Sequence, residues 1–422
     1  MMNMKHNSNR LIKRLAVSLM IVIGVLGLGA CSQSAQPPKT VADFKSWDEV
    51  TSAGQDQPVT ILMWGGNESV NQYIDQYVAD HVKEAYGISL KRVPMNAPDY
   101  ITKLLNEKKS KLEAGSADLV WINAENFATA KAAGLLAGPI TPLLPNLNRY
   151  YDLTAADLNY DAGIPIDGYE AIWGRAQLVI SYDAAVVPNP PRTYAELLAW
   201  AKANPGKFTY PRLPDDFVGS AFVRNAFYEL TGQSDLFQGD LSAAEFEELA
   251  QPVVAYFKEL NPYLWNQGQS FPASQEQLDA LFKNGEVDMT IGFEVGKTAG
   301  LVAAQVYPET VKTYVFDSGT IGNAHYLGIP FNAPNPAGAL LVIYFLQSPE
   351  AQIEKMKPAV WGDMPAVAVD QLSPPQQASL RAVEAESGAL SLQELTAKRR
   401  PEMKAVYLEW IKNLWVEQIA GQ

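Results

Sequence analysis

Apolar positions along this chain alternate between two spacings. Val59-Thr60-Ile61-Leu62-Met63-Trp64 reads as a short buried strand and Gly65-Gly66-Asn67 as a turn. From Ser69 to Tyr86, Val70, Ile74, Tyr77, Val78 and Val82 fall on one helical face, and Gly87 is placed to end that helix. Ile88 to Val93 predicts a second strand, residues 99–114 a Lys-rich helix, and Asp118 to Ile122 a third strand. This is a βαβαβ order, and right-handed crossovers make its strands parallel. Ligands of such sheets sit beyond the carboxyl ends of the strands, which directs attention to Gly65–Ser69 and Asn123–Phe127. Farther along, Ala171 to Tyr182 reads as extended, and Thr193 is placed to cap a helix over Tyr194–Ala203. Residues 274–284 read as a helix, Met289–Ile291 and Val311–Phe316 as strands, and Asn332 to Leu346 as a turn leading into a helix. The last segment, Pro401–Ile419, spaces Met403, Val406, Tyr407, Trp410, Ile411 and Leu414 as one helical face. The class is α/β.

The N-terminus follows a different pattern. Lys5, Arg10, Lys13 and Arg14 precede an apolar run from Leu15 to Ala30, and Leu28-Gly29-Ala30-Cys31 closes it. A charged start, an apolar stretch too short to span a bilayer and small residues at its end have the layout of a secretory signal. The last four residues resemble a bacterial lipobox, which implies that Cys31 is acylated and becomes the mature N-terminus. Ser32 to Lys39 then reads as a flexible tether, residues 31–56 are taken as lipidated Cys and tether together, and lobe structure is expected from residue 57.

With residues 1–30 removed, which hold four of the 33 Lys+Arg and none of the 46 Asp+Glu, the remaining 392 residues carry a formal net charge of −17. That length suits two domains, and that charge argues against nucleic acid as a partner. Cys31 is the sole cysteine, so neither a disulfide nor a thiolate metal site is expected once it is lipidated. Nucleophilic or metal catalysis finds few candidates: His81 and His325 are the only histidines after the signal, and no G-x-S-x-G elbow occurs.

Ala117-Asp118-Leu119-Val120-Trp121, Gly134-Leu135-Leu136, Tyr182-Asp183 with Pro188 to Tyr194, and Gly328 to Gln352 together resemble the extracellular solute-binding proteins, family 1, of bacterial ABC importers. Trp173-Gly174-Arg175-Ala176-Gln177 and Val360-Trp361-Gly362-Asp363-Met364-Pro365 resemble its YnjB-like branch. The resemblance implies a type II periplasmic-binding-protein fold, in which two α/β lobes close over a ligand in the cleft between them. Carried over, lobe 1 takes residues 57–173 and 318–357, and lobe 2 takes 178–317 and 358–422. Hinges are expected near Trp173–Gln177, Asp317–Gly319 and Pro358–Trp361. The implied partners are a small-molecule ligand and a membrane permease coupled to an ATPase. A monomer held at the cell envelope by its lipid is expected, with no cofactor and no metal.

The family's cleft positions nominate Trp64, Asn67 and Glu68 after the first strand, and Trp121, Asn123, Glu125 and Asn126 at the third. Trp173, Arg175 and Gln177 would floor the hinge, with Asp317 and Ser318 beside it. Tyr210, Phe217, Ser220, Phe293 and Glu294 come from lobe 2, and Trp361 from a crossing. Aromatic faces with a few carboxylates suit an organic cation of thiamine or polyamine type, with a sugar as the alternative. Some of these residues also have structural readings: Trp64 or Trp121 as core, Arg175 as partner of a lobe carboxylate, Glu68 as a first-turn helix acid. Tandem Tyr150-Tyr151 invites comparison with ferric-ion binders, but its place before the hinge argues against that use. A membrane-receptor ligand sensor would use the same closure, and a carboxylate-pair hydrolase is the enzyme alternative. On this reading Glu125→Gln combined with Glu68→Gln abolishes binding of organic cations and only weakens binding of sugars, as titration calorimetry against both classes would measure.

Overall fold

Val59, Ile61, Leu62 and Met63 are buried, as befits a strand covered on both faces. The computed structural model describes residues 39–387 and 390–420, so Cys31 and the signal-like segment lie outside the described residues. Twelve strands occur among them: β1 (Pro58–Met63), β2 (Ser89–Pro94), β3 (Leu119–Ile122), β4 (Leu136–Ala137), β5 (Tyr160–Asp161), β6 (Ile164–Pro165), β7 (Glu170–Gln177), β8 (Val179–Asp183), β9 (Met289–Gly292), β10 (Val311–Tyr314), β11 (Thr320–Pro330) and β12 (Arg399–Arg400). β1 pairs in parallel with both β2 and β3, as the βαβαβ reading requires. β11 then adds antiparallel to β3, and β7 antiparallel to β11.

A second sheet of three strands has β8 at its centre, antiparallel to both β9 and β10. The stretch read as one extended segment is therefore two strands in two sheets. Only Leu178 separates β7 from β8, and its N–H is held by the Ile321 carbonyl at 2.8 Å. The chain returns at Val315–Gly319, between β10 and β11.

Two large apolar cores surround these sheets. One gathers Val59, Tyr73, Trp173, Leu327 and the helix Pro336–Leu346, which is buried on nearly every face. Gly54 lets the neighbouring helix lie against it, since a Cβ there would meet Leu341 at 2.7 Å and the Ala337 backbone at 2.8 Å. The other core is aromatic, with Phe222, Phe227, Phe257 and Tyr407.

Most helix bounds follow their signals. Thr193 caps Tyr194–Ala203 by accepting from Glu196 N–H, and Ser274 caps Gln275–Lys283 in the same way. Two expectations needed correction. The helix after β1 widens to a π-helical stretch at Tyr73–Val78, where the buried Tyr73 hydroxyl donates to Ala351 O at 2.8 Å. In the last helix, Ala405–Leu414, Val406 is exposed and Leu408 is buried instead, because the inward stripe runs through Ala405, Tyr407, Leu408, Ile411 and Leu414.

The β5–β6 hairpin and the start of β7 bury two acids. Burial lifts the Glu170 carboxyl well above the usual range, and neighbouring Asp161 adds to the effect. Both Glu170 oxygens lack hydrogen-bond partners. Burial likewise lifts Asp161 to about 8, against the hydrogen bond from Ala124 N–H that lowers it. A group whose folded pKa is raised stabilises fully below its unfolded value, and that stability is lost as pH rises through the folded one. Asp161→Asn should therefore raise Tm relative to the parent chain by an amount that grows from about pH 4 to about pH 8, the window set by the raised pKa of Asp161. Parallel Tm–pH profiles for the two chains would refute this.

Candidate functional site

The loops after β1 and β3 face the N-termini of Phe217–Thr231 and Gln275–Lys283 and the loop after β9. Between them lies a cavity of about 580 Å³, a size that suits a small organic molecule. Trp64, Trp121, Asn123, Glu125, Asn126, Phe217, Ser220, Phe293, Glu294 and Trp361 all line it, ten of the eighteen nominated residues.

The other eight do not, and each has another use. Asn67 caps the helix Glu68–Gln72, but its amide also reaches Glu294 Oε1 at 3.3 Å across the cleft. Glu68 is exposed in that helix's first turn and accepts from Gln72. Trp173 is fully buried behind Trp121 and Trp361. Arg175 grips Asp157 through two nitrogens at 2.7 and 2.9 Å. Burial opposes ionisation of Asp157, yet Arg175 and Arg399 outweigh it and hold that carboxyl at about 2. Gln177 is buried and donates to Thr320 Oγ1. Tyr210 belongs to the aromatic core, where its hydroxyl accepts from the Trp415 indole. Asp317 pairs with Lys398 and Arg192 at the surface, and Ser318 donates to Glu229. Tyr151 is buried with its hydroxyl on Gln347 O. Among the described residues no cluster of His, Cys, Asp and Glu is arranged to hold a metal ion.

Reading the sequence missed the cavity floor. β11 bulges between His325 and Tyr326, and bulges re-aim the side chains beside them. The His325 ring lines the cavity between Trp361, stacked at 5.5 Å and 22°, and Trp121, edge-on at 4.9 Å. Its Nε2 lies 3.0 Å from Asp363 Oδ1, while Asp363 Oδ2 takes the ammonium of Lys355. Burial opposes ionisation of Asp363, but Lys355 and then His325 outweigh it and hold the carboxyl below the usual range. Gly174 makes room for the trio: a Cβ there would meet His325 Cδ2 at 2.6 Å, Asp363 Oδ2 at 2.7 Å and Lys355 Nζ at 2.8 Å. The Trp-Gly-Arg and Trp-Gly-Asp motifs are thus two halves of one structure, joined by backbone hydrogen bonds between Arg175 and Met364. The signal available was a histidine on a long apolar strand; nothing local tied it to Asp363.

Charge on the cavity wall is one-sided. Arg224, fully buried, is neutralised by Glu402 at 2.9 Å and held by Ser220, and severing such a pair costs roughly 3–5 kcal/mol. Lys412 is bound to Glu125 at 2.8 Å. Glu294 accepts hydrogen bonds from two amides, Asn67 and Gln275, at 3.3 and 3.1 Å, and its charge also acts on Lys297. Glu125 Oε2 is buried without a partner, as is the Trp361 indole N–H. Six carboxylates against two permanent cations make the lining a poor receptor for an anion.

Comparisons with known proteins bear on the family and the fold. Residues 72–381 match the family model described as bacterial extracellular solute-binding protein. The chain is 37% identical to Protein YnjB of Escherichia coli (strain K12) over 337 residues, 79% of this chain and 86% of that one. In fold it resembles the periplasmic binding protein AfuA of Actinobacillus pleuropneumoniae, solved with fructose-6-phosphate, at TM-score 0.60 and 17% identity over 87% of this chain and 99% of that one. It also resembles the spermidine/putrescine transporter substrate-binding protein PotD of Streptococcus pneumoniae, at TM-score 0.59 and 14% identity over 86% and 98%. The architecture is the type II periplasmic-binding-protein fold. No helix among the described residues is long and apolar enough to cross a membrane. With a family match over most of its length and a relative in YnjB at 37% identity, the chain belongs to the bacterial extracellular solute-binding proteins.

Proposed function

We propose that this chain is the substrate-binding lipoprotein of an ABC importer and that it captures a small organic cation of thiamine or polyamine type. The observation that carries the reading is the state of the charged groups around the cavity. Arg224 and Lys412 are each taken by a carboxylate, whereas among the described residues Glu294 and Glu276 form no salt bridge, and Lys297, the cation that acts on Glu294, is itself paired with Asp279. A cation entering between Trp64, Trp121, Trp361, Phe217 and Phe293 gains aromatic faces together with unspent carboxylate acceptors. An anionic solute would have to break an existing ion pair first.

On this reading residues 57–173 and 318–357 form one lobe, residues 178–317 and 358–422 the other, and closure presents the loaded chain to a membrane permease. The Leu178 and Val315–Gly319 connections are where the chain passes between sheets, which is where hinge rotation has to be absorbed. The chain works as a monomer tethered through lipidated Cys31.

Glu294→Gln should weaken binding of organic cations about 10- to 100-fold, the loss of a charge-assisted contact, while Glu68→Gln leaves affinity unchanged. Calorimetry against thiamine, spermidine, putrescine and a panel of sugars measures both. Tight sugar binding with no response to any cation would replace this reading with carbohydrate uptake. Separately, Cys31→Ser should abolish palmitate labelling and move the chain from the membrane to the soluble envelope fraction.

A further inference from the structure

A carboxylate only accepts hydrogen bonds, so in the 3.0 Å contact with Asp363 the proton sits on His325 Nε2. In the neutral ring Nδ1 is then an acceptor, and no described residue donates to it. The ring is held against flipping, because Trp361 and Trp121 pack on it and Asp363 pins Nε2. Asp363 is fixed in turn by Lys355, itself fully buried and also donating to Met364 O at 2.7 Å. The same cavity holds a second acceptor without a donor, Glu125 Oε2.

We propose that His325 is a specificity-determining ligand contact: Nδ1 accepts an N–H from the cationic end of the solute, so the site takes protonated amines and discriminates against quaternary ammonium ions of the same charge. The inference rests on the cation reading above and selects its polyamine side, since the thiazolium nitrogen of thiamine carries no N–H. Full N-methylation keeps the charge and the cation–π attraction but removes every N–H donor. The buried acceptors then lose water and gain nothing in exchange. Lys355 and Asp363 are positioning residues that act through His325.

The test uses matched pairs: putrescine with its bis-trimethylammonium analogue, and ethanolamine with choline. By calorimetry the parent chain should bind the amine of a pair about tenfold or more tighter than its methylated partner. His325→Phe, which keeps an aromatic ring between the two tryptophans, should lose that preference. In the parent chain labelled with ¹⁵N-histidine, the His325 Nδ1 resonance should move on adding the amine and stay in place with the quaternary ion, while exposed His81 serves as internal control. This readout stands even where His325→Phe fails to fold. Amine binding without discrimination, or with a stationary Nδ1 resonance, overturns the role of His325 and leaves the cation reading intact. Failure of every cation alongside binding of a sugar overturns the cation reading and this inference with it.

Discussion

An ammonium taken wholly out of water must be compensated, and Lys355 is fully buried beneath the cavity. Asp363 supplies the compensation, and the consequences run outward from that pair. Asp363 has to approach from its turn, so Trp361 two residues earlier is brought under the cavity and Met364 one residue later pairs with Arg175. The facing strand has to be a glycine at position 174, because any side chain there would strike all three members of the trio. The remaining Asp363 oxygen holds His325, whose ring completes a wall with Trp121 and Trp361. One desolvated charge therefore dictates the identity and orientation of most of the cavity floor. Replacing one member alone would leave a buried charge unpaired, which is more costly than never burying the pair.

Ion pairs also decide what the rest of the wall offers. Cations near a cavity usually suggest an anionic ligand, yet here Arg224 and Lys412 are occupied by Glu402 and Glu125. Arg224 further lies over the Phe217 ring at 4.9 Å, so it works as a structural brace that shapes an aromatic lining. What remains available is acceptor character and π-faces. Asn67 meeting Glu294 shows how the two sides of the cleft can touch directly through an amide and a carboxylate, the same kind of contact that a bound amine would make.

The nominated residues divide along a physical line. Asn123 and Glu125 reach the cavity because the first sheet, parallel at β1–β3, opens its crevice beyond β3, while Phe293 and Glu294 reach it from the loop after β9 in the antiparallel sheet. Trp173 and Arg175 lie within β7 and Gln177 ends it, and this strand pairs with β11, so all three are consumed by core and structural contacts. Tyr210 follows no strand end and sinks among Phe222, Phe257 and Phe271. Glu68 and Asn67 show the limit of spacing: one residue apart after the same strand, one faces solvent and the other crosses the cleft.

Taken alone, the sequence determined the βαβαβ start of the first sheet with its parallel strands, the cap at Thr193, and the family, because these depend on local periodicity and on motifs read in order. It also carried both halves of the cavity floor as separate motifs. Only the tertiary structure decided that Gly174 faces Asp363, that a bulge turns His325 toward the cavity, and that Arg224 meets Glu402 across 178 positions. Such pairings are set by how buried charges find partners in three dimensions, and separation along the chain holds no record of that.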